Sequence, residues 1–303
     1  NTIRGEANLK KYLFKKWSVL LICGLAAAVL AGAWLTSPSS CSAANLNGTG
    51  DNQSVIPWER SPEFQQAASI AGTHIRMASF VATLKDPLPG ELFNVGHAAN
   101  TLSGTVVRPG EIFSQNRTLG PYTLAKGYKK GPTYSGNMVI TTIGGGVCKI
   151  ASVMYNVVRL SNLQVVERHN HSLTVPYVPP GQDATVYFGC RDFKFMNTTA
   201  GPVMLWARTY GNTLYMALYG QQLPPKVTWH HKTLKNIKTL TIYQFNPNLP
   251  PGTERISASG QDGIVVKSWL TVRYHNGKEI TRDLGKDYYA PSPRVIERGP
   301  RKR

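Results

Sequence analysis

The sequence predicts an α+β protein. A strand-rich, catalytic-type domain is expected around a helix that follows Cys148, with an elongated all-β module after it. Three observations predict this. After the glycine run Gly144-Gly145-Gly146, apolar residues recur at Ile150, Val153, Met154, Val157 and Val158, the spacing of one helix face. On both sides of that stretch lie short runs rich in β-branched and aromatic residues, bounded by turn signals. Beyond Leu223-Pro224-Pro225 the strand pattern continues with no helical run.

The elements follow in order. Arg4, Lys10, Lys11, Lys15 and Lys16 precede an uncharged run of 19 residues, Trp17 to Leu35. That is close to the roughly 20 residues that cross a bilayer. The basic flank places the N-terminus in the cytoplasm and the body outside. Residues 1–44 are therefore expected to be a cytoplasmic start and a single membrane anchor, or a signal segment if Ser42-Ala43-Ala44 is cut, in which case the protein is secreted. Asn45 to about Pro62 reads as a polar linker, within a leading segment 45–77. A short helix over Glu63–Ile70 and then a strand are expected, followed by a turn at Asp86–Gly90 and a helix over Val95–Leu102 capped by Asn94. Pro109-Gly110 is a second turn.

Strands are expected at Met138–Thr142, Val165–Arg168, Leu173–Val178, Ala184–Phe188, Phe193–Phe195, Val203–Ala207 and Leu214–Tyr219, with the helix Cys148–Leu160 among them. These fill a domain of residues 78–222. The module 223–303 is expected to carry strands at Leu240–Phe245, Arg255–Ala258, Gly263–Tyr274 and Lys278–Leu284. His275-Asn276-Gly277 turns its last hairpin, and Trp269 is its main bulky core candidate.

Of 303 residues, 34 are basic and 16 acidic, for a net charge of +18. Without the first 44 residues, 29 basic and 15 acidic residues remain, still +14. Aromatic and basic residues do not alternate as in a nucleic-acid module, so no nucleic-acid partner is expected. An exported basic body meets anionic envelope polymers or lipid head groups first.

Cys148 is the candidate nucleophile. A thiol at a helix start sits near free N–H groups and the positive end of the dipole, which favour a thiolate and can hold an oxyanion. His171, with His169 near it, is the candidate base, and Asp183 the group that fixes its tautomer. Arg168 is a candidate for binding a substrate carboxylate. Gly145 and Gly146 would admit substrate backbone, and Ser114, Asn116 and Tyr128 would line the cleft. Plainer readings exist for the same residues: an inert buried thiol, a Cys148–Cys190 disulfide, a solvated Arg168, or a zinc site from Cys148, His169, His171 and Cys190. The spacing of those four matches no compact metal site, so neither metal nor cofactor is expected.

Residues from about Ala78 to Tyr219 resemble the VanW domain. The resemblance rests on Pro109–Asn116, Gly120, Gly127-Tyr128, Gly144–Cys148, Tyr155-Asn156, Glu167–Ser172, Tyr177–Pro179, Gly181–Val186 and Phe193–Asn197. It implies a peptidoglycan L,D-transpeptidase. Cys148 would attack the carbonyl between the third and fourth residues of a stem peptide, expel D-alanine and pass the acyl group to a neighbouring stem. His171 would be the base. The chain departs from the family pattern after the cysteine, where Lys149-Ile150-Ala151-Ser152-Val153 stands for glutamine and a Ser/Thr-rich run; Lys149 could stabilise a thiolate. Residues of about Ile237–Gly299 resemble a G5 domain, which implies an envelope module that binds amino-sugar polymers. The partners implied are peptidoglycan and, through the N-terminal segment, a bacterial membrane. The alternative is a non-catalytic envelope protein that binds peptidoglycan, linked to glycopeptide resistance or wall assembly.

Overall fold

The structure, a computed structural model, describes residues 55–85, 87–135 and 138–302. The expected anchor, its basic flank, Cys23 and Cys41 lie outside the described residues. Among the described residues no helix is long and apolar enough to cross a membrane.

The elements run α1 (Pro62–Ala71), β1 (Ile75–Thr83), α2 (Glu91–Leu102), β2 (Thr105–Val107), β3 (Ile112–Ser114) and α3 (Gln115–Leu119). Next come β4 (Lys130–Ser135), β5 (Met138–Ile143), α4 (Cys148–Leu160), β6 (Gln164–Glu167), β7 (Lys194–Met196), β8 (Val203–Tyr210) and β9 (Thr213–Gly220). The remainder is all strand: β10 (Lys226–Ile237), β11 (Thr241–Phe245), β12 (Glu254–Ala258), β13 (Gly263–Arg273), β14 (Glu279–Tyr289) and β15 (Arg294–Arg298). The α+β layout followed by an all-β region is as the sequence predicts.

The organising sheet has strand order β1-β9-β8-β2, antiparallel throughout. The pleat sorts its residues. Val203, Leu205 and Ala207 of β8, with Leu214, Met216 and Leu218 of β9, enter one core with α2 and α4. Met204, Trp206, Ala217 and Tyr219 face the other way, toward α1. Phe64 of α1 lies edge-on to Trp206 at 5.2 Å. On this second face the expected linker is corrected: Ile56 and Trp58 are buried there, and Trp58 Nε1 donates to Tyr219 Oη at 2.9 Å. Two apolar side chains in an otherwise polar stretch are enough to fasten it.

Helix α4 has the expected bounds, and ten of its 13 residues are buried. Helix α2 starts four residues earlier than expected, after Gly90 at φ +82°. Asn94 therefore does not cap it. It points inward from the first turn, donating to the carbonyls of Lys129 (2.8 Å) and Gly145 (2.9 Å) and accepting from Lys129 N (2.8 Å).

Two expected strands are absent. Residues Leu173–Val178 and Ala184–Phe188 form no ladder apart from the isolated bridge Tyr187–Arg191. Their backbone groups find other partners. Ser152 Oγ bonds both Ala184 N and Ala184 O, Asn156 Nδ2 donates to Gln182 O, and Thr185 N donates to His169 O. Polar side chains of the buried helix α4 thus fasten the loop that carries Asp183.

In the C-terminal region, β10, β13 and β14 form one antiparallel sheet, and β11, β15 and β12 a second. The sequence reading missed β10, whose exposed His231, Lys232 and Lys235 hide the pattern. Trp269 is half-buried and stacks on His230; the small core is Val227, Leu270 and Val272. The region is not a free-standing module. The described residues fall in one compact unit, and Trp229 packs edge-on to Tyr155 of α4 at 5.2 Å.

Candidate functional site

Cys148 is the first residue of α4 and follows a turn that only glycines allow. Gly144 (φ +79°) and Gly146 (φ +104°) are left-handed. A Cβ on Gly145 would overlap the carbonyl oxygens of Gly131 and Pro132 in β4. The glycine run therefore lets the chain pass close to its own hairpin and deliver the thiol. This corrects the expectation for Gly145, which is buried against that hairpin and does not line the cleft, whereas Gly146 does.

The cleft has a volume of about 770 Å³. Cys148 and His171 lie on its wall with Tyr122, Tyr177, Thr185 and Phe188. The sulfur is 3.3 Å from Thr185 Oγ1, and the Val186 N–H points at it from 3.5 Å. The His171 ring hydrogen-bonds the sulfur as well. Its Nδ1 is 2.6 Å from Asp183 Oδ2, which also accepts from the His171 backbone N–H at 2.7 Å. Both His171 and Asp183 are buried. Residues 148, 171 and 183, distant in sequence, thus form one continuous line from the cleft inward.

Electrostatics follow from the line. Burial alone would raise the Cys148 thiol. The His171 hydrogen bond and charge outweigh it, with help from Thr185 and the Val186 N–H, and bring it from 9.0 down to about 7. Burial alone would lower His171, but its bonds to Asp183 and Cys148 lift it to about 9. Asp183 is held below its ordinary value: against burial act His171, the Arg168 charge and the Tyr289 hydroxyl. Near neutrality the sulfur is thus poised between thiol and thiolate, facing an imidazolium.

The other site expectations divide. Arg168 is not available to a substrate carboxylate; its Nη2 donates to Asp183 Oδ1 (3.1 Å) and its Nη1 to Asp287 Oδ1 (2.5 Å). Asn116 lies off the cleft, bonded to Arg191 O and to Tyr122 Oη, and its backbone N–H donates to Asp192. Ser114 also bonds Asp192, at 2.5 Å. Tyr128 is buried, donates to Leu119 O at 3.0 Å, and is pushed up to about 12 by burial. These residues build the wall behind the cleft. Lys149 lines the cleft, pairs with Glu91 and lies over the Tyr177 ring. The Lys149 and Ile150 N–H groups already bond the carbonyls of Gly146 and Val147, so the backbone donor at the sulfur is the Val186 N–H. His169 pairs with Glu167. Cys148 and Cys190 are both free thiols, which corrects the disulfide reading. Among the described residues no group of three or more His, Cys, Asp or Glu side chains is placed to hold a metal ion.

Sequence reasoning missed Thr185, the Val186 N–H, Tyr289 and Asp287. The first two sit in the stretch Gln182–Val186 beside Asp183, so proximity was a usable signal. The last two come from β14, more than 100 residues away.

Comparison with known proteins adds the family context. A family model described as VanW like protein matches residues 90–219, and one described as G5 domain matches 230–301. The chain is 38% identical over 130 residues to the uncharacterized protein YoaR of Bacillus subtilis, covering 43% of each chain. It is 31% identical over 121 residues to the Vancomycin B-type resistance protein VanW of Enterococcus faecalis, covering 38% of this chain and 44% of that one. The chain thus spans less than half the length of these curated relatives. Among solved structures, an IgA1 protease G5 domain is 29% identical over 26% of this chain and 94% of its own, with a TM-score of 0.19. The G5 domain of HP0197 is 18% identical over 24% of this chain and 99% of its own, with a TM-score of 0.15.

Proposed function

From a chain that carries a VanW family region over residues 90–219 followed by a G5 domain over 230–301, we propose a cell-envelope protein that works on peptidoglycan through the Cys148 site. The basic body and the resistance in one relative's name support the location and the link to glycopeptide resistance. The finer reading is cysteine acyl transfer of the L,D-transpeptidase type. The observation that carries it is the Cys148–His171–Asp183 line opening on the cleft.

In this reading the Cys148 thiolate attacks the carbonyl carbon of a stem peptide. The Val186 N–H and Thr185 hydroxyl stand nearest the sulfur to steady the developing charge. The C–N bond to D-alanine breaks, and the His171 imidazolium gives its proton to the departing amine. An incoming amine then attacks the thioester, His171 takes its proton, and the thiolate is restored. Asp183 holds the ring in one tautomer throughout.

A second reading, a non-catalytic envelope protein that binds peptidoglycan, is favoured by the comparisons, which name families and a resistance phenotype but no reaction. The two readings part at Cys148. Intact-mass measurement after incubation with a disaccharide-tetrapeptide should show a thioester that Cys148→Ala abolishes. An unmodified mass, with sacculus binding unaffected by Cys148→Ala, would favour the second reading.

A further inference from the structure

The acid end of the Cys148 line is completed from the far side of the molecule. Asp183 is 0% exposed, so each oxygen needs a partner. His171 supplies both donors to Oδ2. The donors to Oδ1 are Arg168 Nη2 and the hydroxyl of Tyr289, the last residue of β14. That hydroxyl is itself oriented by the Gly181 N–H, which donates to it at 2.7 Å. Two residues earlier on β14, Asp287 accepts from Arg168 Nη1, while Arg168 Nε donates to Asp183 O at 2.8 Å. The strand is seated by backbone bonds: Ala290 N donates to Ser172 O at 2.7 Å, and Asn170 Nδ2 to Tyr288 O at 2.9 Å. Gly181 packs against Ser268 of β13 so closely that a Cβ there would clash.

We propose that Tyr289 and Asp287 of the C-terminal β region are positioning residues for the cysteine site, acting on Cys148 through Asp183 and His171. The inference deepens the acyl-transfer reading and takes its chemical meaning from it. A hydroxyl and a guanidinium on Oδ1 leave Oδ2 fixed toward the ring. Without the Tyr289 hydroxyl, the carboxylate loses one of its two Oδ1 donors. It then protonates at higher pH and tilts more freely, and the imidazolium that holds the thiolate weakens. The charged and titratable groups facing this line are Arg168, Asp287 and Tyr289 at Asp183, and Tyr122 at the sulfur. The C-terminal region would then be part of the site rather than only a tether.

The test reads thiol ionisation, which requires no turnover. In the full chain carrying Cys23→Ser, Cys41→Ser and Cys190→Ser, the rate of Cys148 reaction with an aryl disulfide is followed from pH 5 to 10. Tyr289→Phe should lower the thiolate fraction about threefold at pH 6, as its midpoint moves up by about half a unit, and slow the reaction about twofold once the gain in nucleophilicity is counted. Asp287→Asn should move it the same way. In an Asp183→Asn background, Tyr289→Phe should change almost nothing, because the two residues act as one unit. An unchanged midpoint in both Tyr289→Phe and Asp287→Asn overturns the proposal, as does an equal shift with and without Asp183. If Tyr289→Phe fails to fold, as read by circular dichroism, Asp287→Asn decides alone. A shifted midpoint with no thioester on a tetrapeptide sinks the acyl-transfer reading and leaves the coupling standing.

Discussion

Replacing His171 by glutamine should reverse the order of thiol reactivity between acid and alkaline pH. Cys148 sits at about 7 instead of 9.0 because His171 outweighs the cost of burial. Two units correspond to about 2.7 kcal/mol of preference for the thiolate. At pH 6, about 9% of a thiol with midpoint 7 is ionised, against about 0.1% at midpoint 9, roughly a hundredfold difference. Low-pKa thiolates are poorer nucleophiles: with a Brønsted slope of about 0.45, two units take back about eightfold. The net expectation is that His171→Gln reacts about tenfold more slowly at pH 6 with an aryl disulfide, or slower still, since burial then acts unopposed. Well above the variant's own midpoint both thiols are ionised, and the variant should react faster. The assay is the pH profile of aryl thiol release in a chain whose other three cysteines are serine. Superimposable profiles for the two proteins would refute the claim that His171 sets the state of the sulfur, and so would a native midpoint near 9.

Three further outcomes test the scaffold. Asn94→Ala removes three hydrogen bonds that tie α2 to Lys129 and to Gly145 of the glycine turn and should cost about 2–4 kcal/mol in urea denaturation; an unchanged midpoint would show that the turn stands without it. Gly145→Ala must push the turn off the β4 carbonyls. It should lower stability by about 1–3 kcal/mol or prevent folding, and a native melting curve with native Cys148 reactivity would contradict the close approach. Trp58→Ala empties a buried ring site between α1 and the central sheet and should cost about 3–5 kcal/mol; a loss under about 0.5 kcal/mol would mean that the leading segment does not belong to the fold.

The comparison of sequence with structure turns on the range of the interaction. Helix α4 was legible to its bounds because its apolar spacing and the glycines before it are local signals. The strands Val203–Tyr210 and Thr213–Gly220 were legible because each alternates between two apolar cores. Leu173–Val178 was misread as strand for the opposite reason. Its alternation is real, but Ser172 and Thr174 bond to Ala290 and Gln261 of the C-terminal region instead of to a neighbouring strand. Asn94 reads as a cap because a cap is what an asparagine ahead of an apolar run usually is. A glycine with positive φ started the helix sooner and turned the side chain inward.

By itself the sequence determined the class of the fold, the helix that presents Cys148, and the residue types a thiol site requires: a cysteine after glycines, a histidine and an acid downstream. These are matters of local conformation and chemical inventory, written in neighbouring residues. Only the tertiary structure decided which of them meet. It placed His171 between Cys148 and Asp183, turned Arg168 inward to Asp183 and Asp287, directed Lys149 to Glu91, and set Asn116 and Tyr128 into the wall behind the cleft. It also brought Tyr289 to a carboxylate 106 positions away in the chain. The physical reason is burial. Once Asp183 loses water, it must take its donors from whatever the fold packs around it, and that packing is a property of the whole chain.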